Sequence, residues 1–399
     1  MPEADRRDVA LVLSGGGING ILLELGFLKR LAETALWPRV GWIYGTSAGA
    51  LAGTMAALDR LDELEDFLLA LQPADAFRPR ALWQLSGGLH DYTLPDTVSE
   101  RIGDPAELGA RLAAAEVELV VYATDVGDHA EGDEERDFEL EFSSRTADPE
   151  VMGRAILASA AISGLVLPIA IDGRIATDGG WVRNFPYEHA YRNPGVAAIA
   201  AFRYVASYPP TDAAFLERTR ERLERFRAVP PVRALLAEVQ LAQERAARGE
   251  PAHYAELIVR LMRVAFARNA VVEERIASER ETSVEELRLL REDVIEAAVA
   301  AAPRRRQAHL RTQLEERFAA ARFPFRHDRR VPALIVRGGT AGEASLDPTF
   351  RSDAPWPEEL KRALIERGYA LTDEALEKFD EEEGRQGSGQ AVGPLADGR

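Results

Sequence analysis

The sequence predicts an α/β protein with a mainly parallel central sheet, helices on both faces of that sheet, and a large α-helical insertion. Short apolar runs alternate with helical stretches through the first half of the chain, which is typical of a parallel sheet covered by helices. From about residue 208 to 325 the composition shifts to Ala, Glu, Arg and Leu at helical spacing, which indicates the insertion. The 399 residues are 46% hydrophobic, enough for a substantial core.

The first four elements follow from changes in hydrophobic period. Residues 8–13 form a short β-branched run before a glycine-rich loop, which predicts a buried strand. A helical pattern begins at Gly20 and is expected to end near Leu36. Residues 40–44 predict a second strand, and an Ala-rich helix is expected from Ala48.

Turn and cap residues mark the elements that follow. Residues 72–105 are rich in Pro and Gly and are expected to be irregular. Asp148 followed by Pro149 predicts the start of a helix of about ten residues. Further strands are predicted at 117–125, in a hairpin that turns at Gly173, and at 196–202.

The chain is predicted to have four parts. In the insertion, Ser283 and Glu286 match a capping box, which predicts a helix start there. The apolar run at 331–339 predicts a strand that rejoins the sheet. The predicted parts are a core at 1–207, a helical insertion or subdomain at 208–325, a return to the core at 326–379, and a disordered polar tail at 380–399.

Composition and charge narrow the classes of partner and chemistry. The formal net charge of −17 argues against a nucleic-acid partner and against steady adsorption on anionic membranes. It leaves room for a local apolar patch that contacts a membrane surface transiently. The absence of cysteine excludes disulfides, thiolate metal sites and a cysteine nucleophile. No signal peptide or membrane span is recognised, so a cytoplasmic location is expected.

The loop "SGGGING" after the first strand has two interpretations. Gly15, Gly17 and Gly20 satisfy the dinucleotide fingerprint G-x-G-x-x-G between a strand and a helix. That fingerprint also needs a carboxylate at the end of the second strand, to hold the ribose hydroxyls. Here the second strand ends in Tyr44 and Gly45, so a nucleotide-binding Rossmann protein is the weaker alternative.

The second strand leads instead into a nucleophile elbow. Gly45, Ser47 and Gly49 form the pattern G-x-S-x-G directly after a strand and before a helix, which is the context this motif requires. A serine that attacks a carbonyl needs N–H donors for the oxyanion, and the neighbouring "SGGG" loop is a row of such donors. A glycine-rich turn with a helix-capping serine is the plainer alternative.

The base that would activate Ser47 is less obvious from the residues alone. Six histidines occur, and none has the flanking small residues expected of a triad histidine. Asp178 precedes two glycines at the predicted end of a strand, and burial beside Ser47 would raise its pKa enough for proton abstraction. An ordinary turn is the plainer explanation of an isolated Asp-Gly-Gly, and a histidine triad remains an alternative.

Taken together, "SGGGING", "GTSAGAL", "ASAAISGLVLPIAIDGR" and "TDGGWVRNFP" resemble the bacterial patatin-like phospholipases in order and spacing. The resemblance covers about residues 8–205, resumes weakly at 331–370, and implies a lipid acyl hydrolase that needs no metal or cofactor. It departs from the family at Asn19, where a basic residue is common, and at Ser163, where proline is usual. It implies Ser47 as nucleophile, Asp178 as base, Gly15, Gly16 and Gly17 as oxyanion donors, and Gly20, Gly45, Gly49, Gly179 and Gly180 as supporting motif residues.

Several alternatives within this resemblance stay open at the level of sequence. The substrate is a phospholipid, a lysophospholipid or another lipid ester, and a general esterase or thioesterase of the same fold is the alternative. A regulated enzyme or a catalytically silent scaffold is a further one. Phe77, Leu82 and Trp83 either line an acyl channel or simply cover the sheet. The head group, the acyl length and the oligomeric state are not specified by the sequence.

Overall fold

The computed structural model describes residues 6–385 except 80–89, 129–137, 163–164, 206–216, 218–219, 222, 251–253, 323–330 and 340–354. Leu82, Trp83 and Ser163 therefore lie outside the described residues. Within the described ranges, none of the helices is both long enough and apolar enough to cross a bilayer.

The sheet is mainly parallel, as the sequence predicts. The described strands are β1 (Val9–Leu13), β2 (Val40–Thr46), β3 (Phe77–Pro79), β4 (His90–Tyr92), β5 (Glu118–Asp125), β6 (Glu139–Ser143), β7 (Ile169–Ile171), β8 (Arg174–Asp178), β9 (Ala198–Tyr204) and β10 (Ala333–Gly338). The main sheet has the order β10-β9-β1-β2-β5-β8-β7, with β6 also paired to β5. The first five strands of that order are parallel, whereas β6, β7 and β8 pair antiparallel. β3 and β4 form a separate two-stranded sheet.

The helices lie between and after these strands. They are α1 (Gly17–Ala32), α2 (Ala48–Ala57), α3 (Leu61–Ala70), α4 (Pro73–Ala76), α5 (Leu94–Arg101), α6 (Pro105–Ala114), α7 (Pro149–Ser159), α8 (Tyr187–Arg192), α9 (Pro230–Ala247), α10 (Tyr254–Ala301), α11 (Arg304–Ala319) and α12 (Glu358–Arg385). Two short 3-10 helices span Trp37–Arg39 and Gly179–Trp181.

Helices cover both faces of the sheet, because alternate side chains of a strand point to opposite sides. Leu11 and Leu13 of β1 belong to a buried apolar cluster with residues of α1, α2 and α12. Ala10 and Val12 belong to a second cluster on the other face, which includes residues of α8 and α10. The fully buried β1 therefore needs apolar residues at every position, and it has them.

The α1 and α12 helices pack with their backbones in close approach. A methyl group added to Gly26 of α1 would lie 2.0 Å from the carbonyl oxygen of Ile365. One added to Gly368 of α12 would lie 2.0 Å from the carbonyl oxygen of Leu23. Any larger residue at either position would push the two helices apart.

A fully buried lysine joins α12 to the end of α3. The Nζ atom of Lys361 donates to the carbonyl oxygens of Leu69 at 2.8 Å and Leu71 at 2.5 Å. The last carbonyls of a helix have no partner within the helix, so this ammonium group satisfies them. Burial lowers the pKa of Lys361, and the nearby carboxylates of Glu358 and Asp75 only partly offset this decrease.

Some element boundaries differ from the sequence-based expectations. The first helix runs from Gly17 to Ala32 rather than from Gly20 to Leu36, because the Gly20 amide already donates to the Gly16 carbonyl at 2.9 Å. Residues 72–105 are not irregular throughout, because α4, α5 and the β3–β4 pair lie within them. The expected irregularity reflected proline positions, several of which instead begin short helices.

The expected helix start at Ser283 is wrong. Ser283 lies inside α10, where its hydroxyl donates to the Glu279 carbonyl at 2.8 Å instead of capping a helix. Val284, the next residue, is buried, so packing favours a continuous helix over the local cap signal. At the other end of the chain α12 continues to Arg385, six residues into the stretch predicted as a tail.

Candidate active site

Ser47 lies at a sharp turn between β2 and α2, as the G-x-S-x-G motif predicts. Its backbone has φ 54° and ψ −115°, a region that residues with a side chain rarely occupy. A methyl group on Gly45 would lie 2.5 Å from the Gly49 carbonyl oxygen, and one on Gly49 would lie 2.4 Å from the Leu13 carbonyl oxygen. The two glycines therefore let the turn close tightly against β1.

Asp178 reaches Ser47 because β2 and β8 meet end to end along one edge of β5. β2 pairs with residues 118–122 of β5, and β8 pairs with residues 123–125. β6 pairs with residues 120–124 and overlaps both, so it must occupy the opposite edge. The last residue of β2, Thr46, thus lies next to the last residue of β8, Asp178. The two motifs converge although they are 131 residues apart.

Ser47 and Asp178 form a buried hydrogen-bonded pair. The Ser47 hydroxyl donates to Asp178 Oδ2 at 2.7 Å, and the Gly180 amide donates to Asp178 Oδ1 at 2.7 Å. Asp178 is almost completely buried, with 1% of its surface exposed to solvent. Burial raises its pKa from the ordinary 3.8 to about 6, against the opposing effect of these two hydrogen bonds. Asp178 is therefore mostly ionised at neutral pH and more basic than an exposed aspartate.

Two buried hydroxyls hold the pair in place. The Ser47 amide donates to Ser159 Oγ at 2.8 Å, and the Ser159 hydroxyl in turn donates to the Tyr122 carbonyl at 2.6 Å. The Thr124 hydroxyl donates to the Asp178 carbonyl at 2.8 Å. Sequence reasoning did not identify Ser159 or Thr124, because nothing in their local sequence distinguishes them from ordinary core residues.

The glycine loop lies beside Ser47 but is used differently from the prediction. The Gly15 amide donates to the Asn184 carbonyl at 3.0 Å, so this group is already occupied. Gly16 caps the N-terminus of α1 and Gly17 is its first residue, with φ 58°. Amides at a helix N-terminus have no acceptor within the helix. The predicted set of oxyanion donors is thereby reduced to Gly16 and Gly17, whose role stays a prediction.

A mostly apolar cavity of about 260 Å³ opens onto these residues. Ser47, Asp178 and Gly15–Gly17 line it, together with apolar side chains from α2, α3, α5 and α10. Examples of these side chains are Leu51, Phe67, Val98 and Phe266. Phe77 also lines the cavity, in agreement with the channel interpretation of that residue, whereas Leu82 and Trp83 are not described.

The α10 helix, which lies in the predicted insertion, contributes directly to this site. The Asn269 side chain donates to the carbonyls of Gly180 at 3.2 Å and Trp181 at 2.5 Å, directly after Asp178. Phe266 packs edge-on against Trp181, with ring centroids 5.2 Å apart. Helical periodicity predicted helices in this region but gave no indication that one of them would contact the turn after Asp178.

One cluster among the described residues has the spacing of a metal site. Glu139, Glu141 and His189 place ligand atoms within 4.8 Å of one another. Glu139 already accepts from Arg183 at 2.5 Å and lies 2.9 Å from His189 Nε2. Arg183 also pairs with Glu273 at 3.0 Å. The guanidinium supplies the positive charge that this cluster needs, so an ion-pair network explains it without a metal.

The fold and the site define an α/β protein with a buried serine–aspartate pair at the ends of two adjoining strands. Residues 11–191 match the family model described as patatin-like phospholipase. The chain therefore carries a patatin-like phospholipase domain, and Ser47, Asp178 and the glycine loop lie within the matched range.

Curated relatives resemble only part of the chain. Lysophospholipase nte1 of Aspergillus terreus is 31% identical over 195 residues, and that of Aspergillus niger is 30% identical over the same length. Each alignment covers 46% of this chain but 11% of the relative, so the chain spans about a tenth of those proteins. Among solved structures, VipD from Legionella pneumophila aligns with a TM-score of 0.39 and 12% identity, over 94% of this chain and 67% of VipD. A TM-score this low adds nothing to the assignment.

Proposed function

We propose that this protein hydrolyses carboxylic esters of lipids, with Ser47 as the nucleophile and Asp178 as the general base. The observation that carries the proposal is the 2.7 Å hydrogen bond from Ser47 Oγ to Asp178 Oδ2, at an elbow that lines an apolar cavity. The patatin-like phospholipase match and the lysophospholipase relatives support a lipid as the substrate.

The first half of the reaction transfers the acyl group to Ser47. As Ser47 Oγ attacks the carbonyl carbon, its proton moves to Asp178 Oδ2, for which the hydrogen bond is already aligned. When the intermediate collapses, the bond to the leaving oxygen breaks and Asp178 gives that oxygen the proton. The alcohol or lysolipid departs, and an acyl ester of Ser47 remains.

Two features support stabilisation of the negative charge that develops on the carbonyl oxygen. Ser47 precedes the first residue of α2, and Gly16 and Gly17 lie at the start of α1, so two helix N-termini converge on the site. The positive end of a helix dipole and its unpaired amides favour an anion there. Preorganised donors of this kind contribute about a hundred- to a thousandfold each to the rate.

The cavity favours a substrate with a long hydrocarbon chain. Its lining beside Ser47 is predominantly aliphatic and aromatic. Burying a hydrocarbon chain there would contribute about 0.8 kcal/mol of binding free energy for each methylene removed from water. A long acyl group would therefore bind better than a short one. This preference distinguishes a lipid hydrolase from a general esterase of the same fold.

The test combines covalent labelling with turnover. Wild type, Ser47→Ala and Asp178→Asn would be treated with a fluorophosphonate probe and assayed on p-nitrophenyl butyrate and palmitate. Wild type should label, turn over both esters and prefer palmitate, and both variants should lose at least about a thousandfold in turnover. Because Asp178 must be ionised to act, kcat/KM of wild type should fall as the pH is lowered through about 6.

The exposed Ser99 provides a matched control, since Ser99→Ala removes a hydroxyl that does not line the cavity. This variant should label and turn over like wild type. Turnover that survives in Ser47→Ala would contradict the proposal, and a preference for butyrate would favour the general esterase.

A further inference from the structure

Asn184 presents an unpaired hydrogen-bond acceptor inside the candidate active site. Its side chain is 4% exposed, and its Nδ2 atom donates to the Phe266 carbonyl of α10 at 3.3 Å. Its Oδ1 atom is buried and accepts no hydrogen bond from the described part of the chain. Buried amide oxygens almost always have a donor, so this atom points to a ligand that supplies one.

The Oδ1 atom lies near the proposed reacting groups. A methyl group added to Gly15 would lie 2.3 Å from Asn184 Oδ1 and 3.3 Å from Ser47 Cβ. One added to Gly180 would lie 3.0 Å from both Asn184 Oδ1 and Asp178 Oδ1. The absence of a side chain at these two glycines thus lets the amide oxygen pack closely against the loop that precedes α1 and the turn that follows Asp178. Asn184, Ser47 and Asp178 all line the same cavity.

The chemistry of an amide oxygen restricts what can bind there. It accepts hydrogen bonds and cannot donate them, so its partner must carry a hydrogen. The reacting ester group has only a carbonyl oxygen and an ether-type oxygen, neither of which carries one. Water has two hydrogens, one for Asp178 and one for a second acceptor. A single water molecule can therefore use both acceptors at once during its attack.

We propose that Asn184 Oδ1 accepts a hydrogen bond from the water that hydrolyses the acyl-enzyme, and so orients it for attack; this rests on the proposed function. The water oxygen bonds to the acyl carbon while one of its protons passes to Asp178 Oδ2. The other hydrogen stays on the water oxygen and is donated in a hydrogen bond to Asn184 Oδ1. The intermediate then releases Ser47 Oγ, which takes the proton from Asp178, and a free carboxylic acid leaves.

The contact with α10 gives Asn184 its orientation. Because Nδ2 is held by the Phe266 carbonyl, the amide cannot rotate to turn its donor into the site without losing that hydrogen bond. Acylation makes no use of Oδ1, whereas deacylation does. Loss of the acceptor should therefore slow water attack selectively and let the acyl-enzyme accumulate.

The experiment compares water with methanol as the acceptor of the acyl group. Methanol has a single hydroxyl hydrogen, which goes to Asp178, so its attack does not need Asn184. With p-nitrophenyl palmitate and added methanol, Asn184→Ala should lower acid formation about tenfold, the effect of one lost hydrogen bond, and leave methyl ester formation nearly unchanged. Asn184→Asp, which keeps an oxygen at this position, should recover part of the acid formation.

Labelling by the fluorophosphonate probe reports whether the Ser47–Asp178 pair is intact in each variant, and intact-mass measurement reports the accumulated acyl-enzyme. Asn269→Ala serves as the matched control, because it removes other hydrogen bonds between α10 and the turn after Asp178 without removing the Asn184 acceptor. It should lower both products together. An unchanged ratio of acid to methyl ester in a labelled Asn184→Ala would overturn the inference while the proposed function stands. If wild type were neither labelled by the probe nor active on the ester, both the proposed function and the inference about Asn184 would be contradicted.

Discussion

The buried carboxylate of Asp178 should make the active site a source of instability. Asp178 is 1% exposed, and burial raises its pKa from 3.8 to about 6. Each pKa unit corresponds to about 1.4 kcal/mol, so keeping this group ionised in the folded protein costs about 3 kcal/mol. Asp178→Asn has no charge to desolvate, and its amide can still bond to both Ser47 Oγ and the Gly180 amide.

The sign of the pH dependence follows from proton binding. Between pH 3.8 and about 6 the folded protein retains a proton on Asp178 that the unfolded chain has lost, so stability falls as the pH rises through this window. The decrease in the free energy of unfolding is complete above that pH window and absent below it. Asp178→Asn should therefore match wild type near pH 4 and be more stable by about 3 kcal/mol near pH 7.5.

Urea unfolding followed by circular dichroism at several pH values measures the difference. Asp8→Asn is a matched control, because Asp8 is equally buried but paired with Arg39 at 2.8 Å. Removing that carboxylate leaves the arginine without its partner and should lower the free energy of unfolding. If Asp178→Asn were no more stable than wild type at pH 7.5, or if its advantage did not change with pH, the assigned desolvation would be refuted.

Three further predictions concern backbone geometry and buried polar groups. Ser47→Gly should be more stable than Ser47→Ala by about 1–3 kcal/mol in thermal unfolding, since both lack the hydroxyl and only glycine accepts φ 54° without strain. In urea unfolding, Gly49→Ala should lower the free energy of unfolding by about 3 kcal/mol or more, because its methyl group would overlap Leu13. Gly20→Ala should raise it by up to about 1 kcal/mol, because the nearest atom to its methyl group is 3.7 Å away. Lys361→Met should lower the free energy of unfolding by about 2 kcal/mol, because two buried carbonyls lose their donor. Equal urea midpoints for this variant and wild type would contradict the capping role of Lys361.

The sequence predicts the strands, the two-sided sheet and the family because each has a local signal. The apolar run of β1 and the G-x-S-x-G elbow specify their own conformations. The residues alone offered Asp178 as one candidate partner of Ser47, and the family resemblance was needed to choose it. The physical cause of their meeting is the succession of β2 and β8 along one edge of β5, a register that no local pattern encodes.

Long-range polar contacts were beyond sequence reasoning for a similar reason. The Gly15 amide was expected to serve an oxyanion, but it bonds to the carbonyl of Asn184, 169 residues later in the chain. Ser283 shows the opposite failure, in which a genuine local cap signal lost to the packing of Val284 in a continuous helix. Tertiary contacts decide such cases, and a single sequence does not show them.

The packing of α12 on α1 has a consequence for biosynthesis. α1 begins at the glycine loop beside Ser47, and its partner helix starts at Glu358, more than three hundred residues later. While the ribosome is still translating the intervening chain, α1 has no neighbour on the face that carries Gly26. We expect the nascent chain to leave this face of α1 uncovered, and the apolar cluster that α1 shares with α12 incomplete, until the α12 segment has emerged from the ribosome.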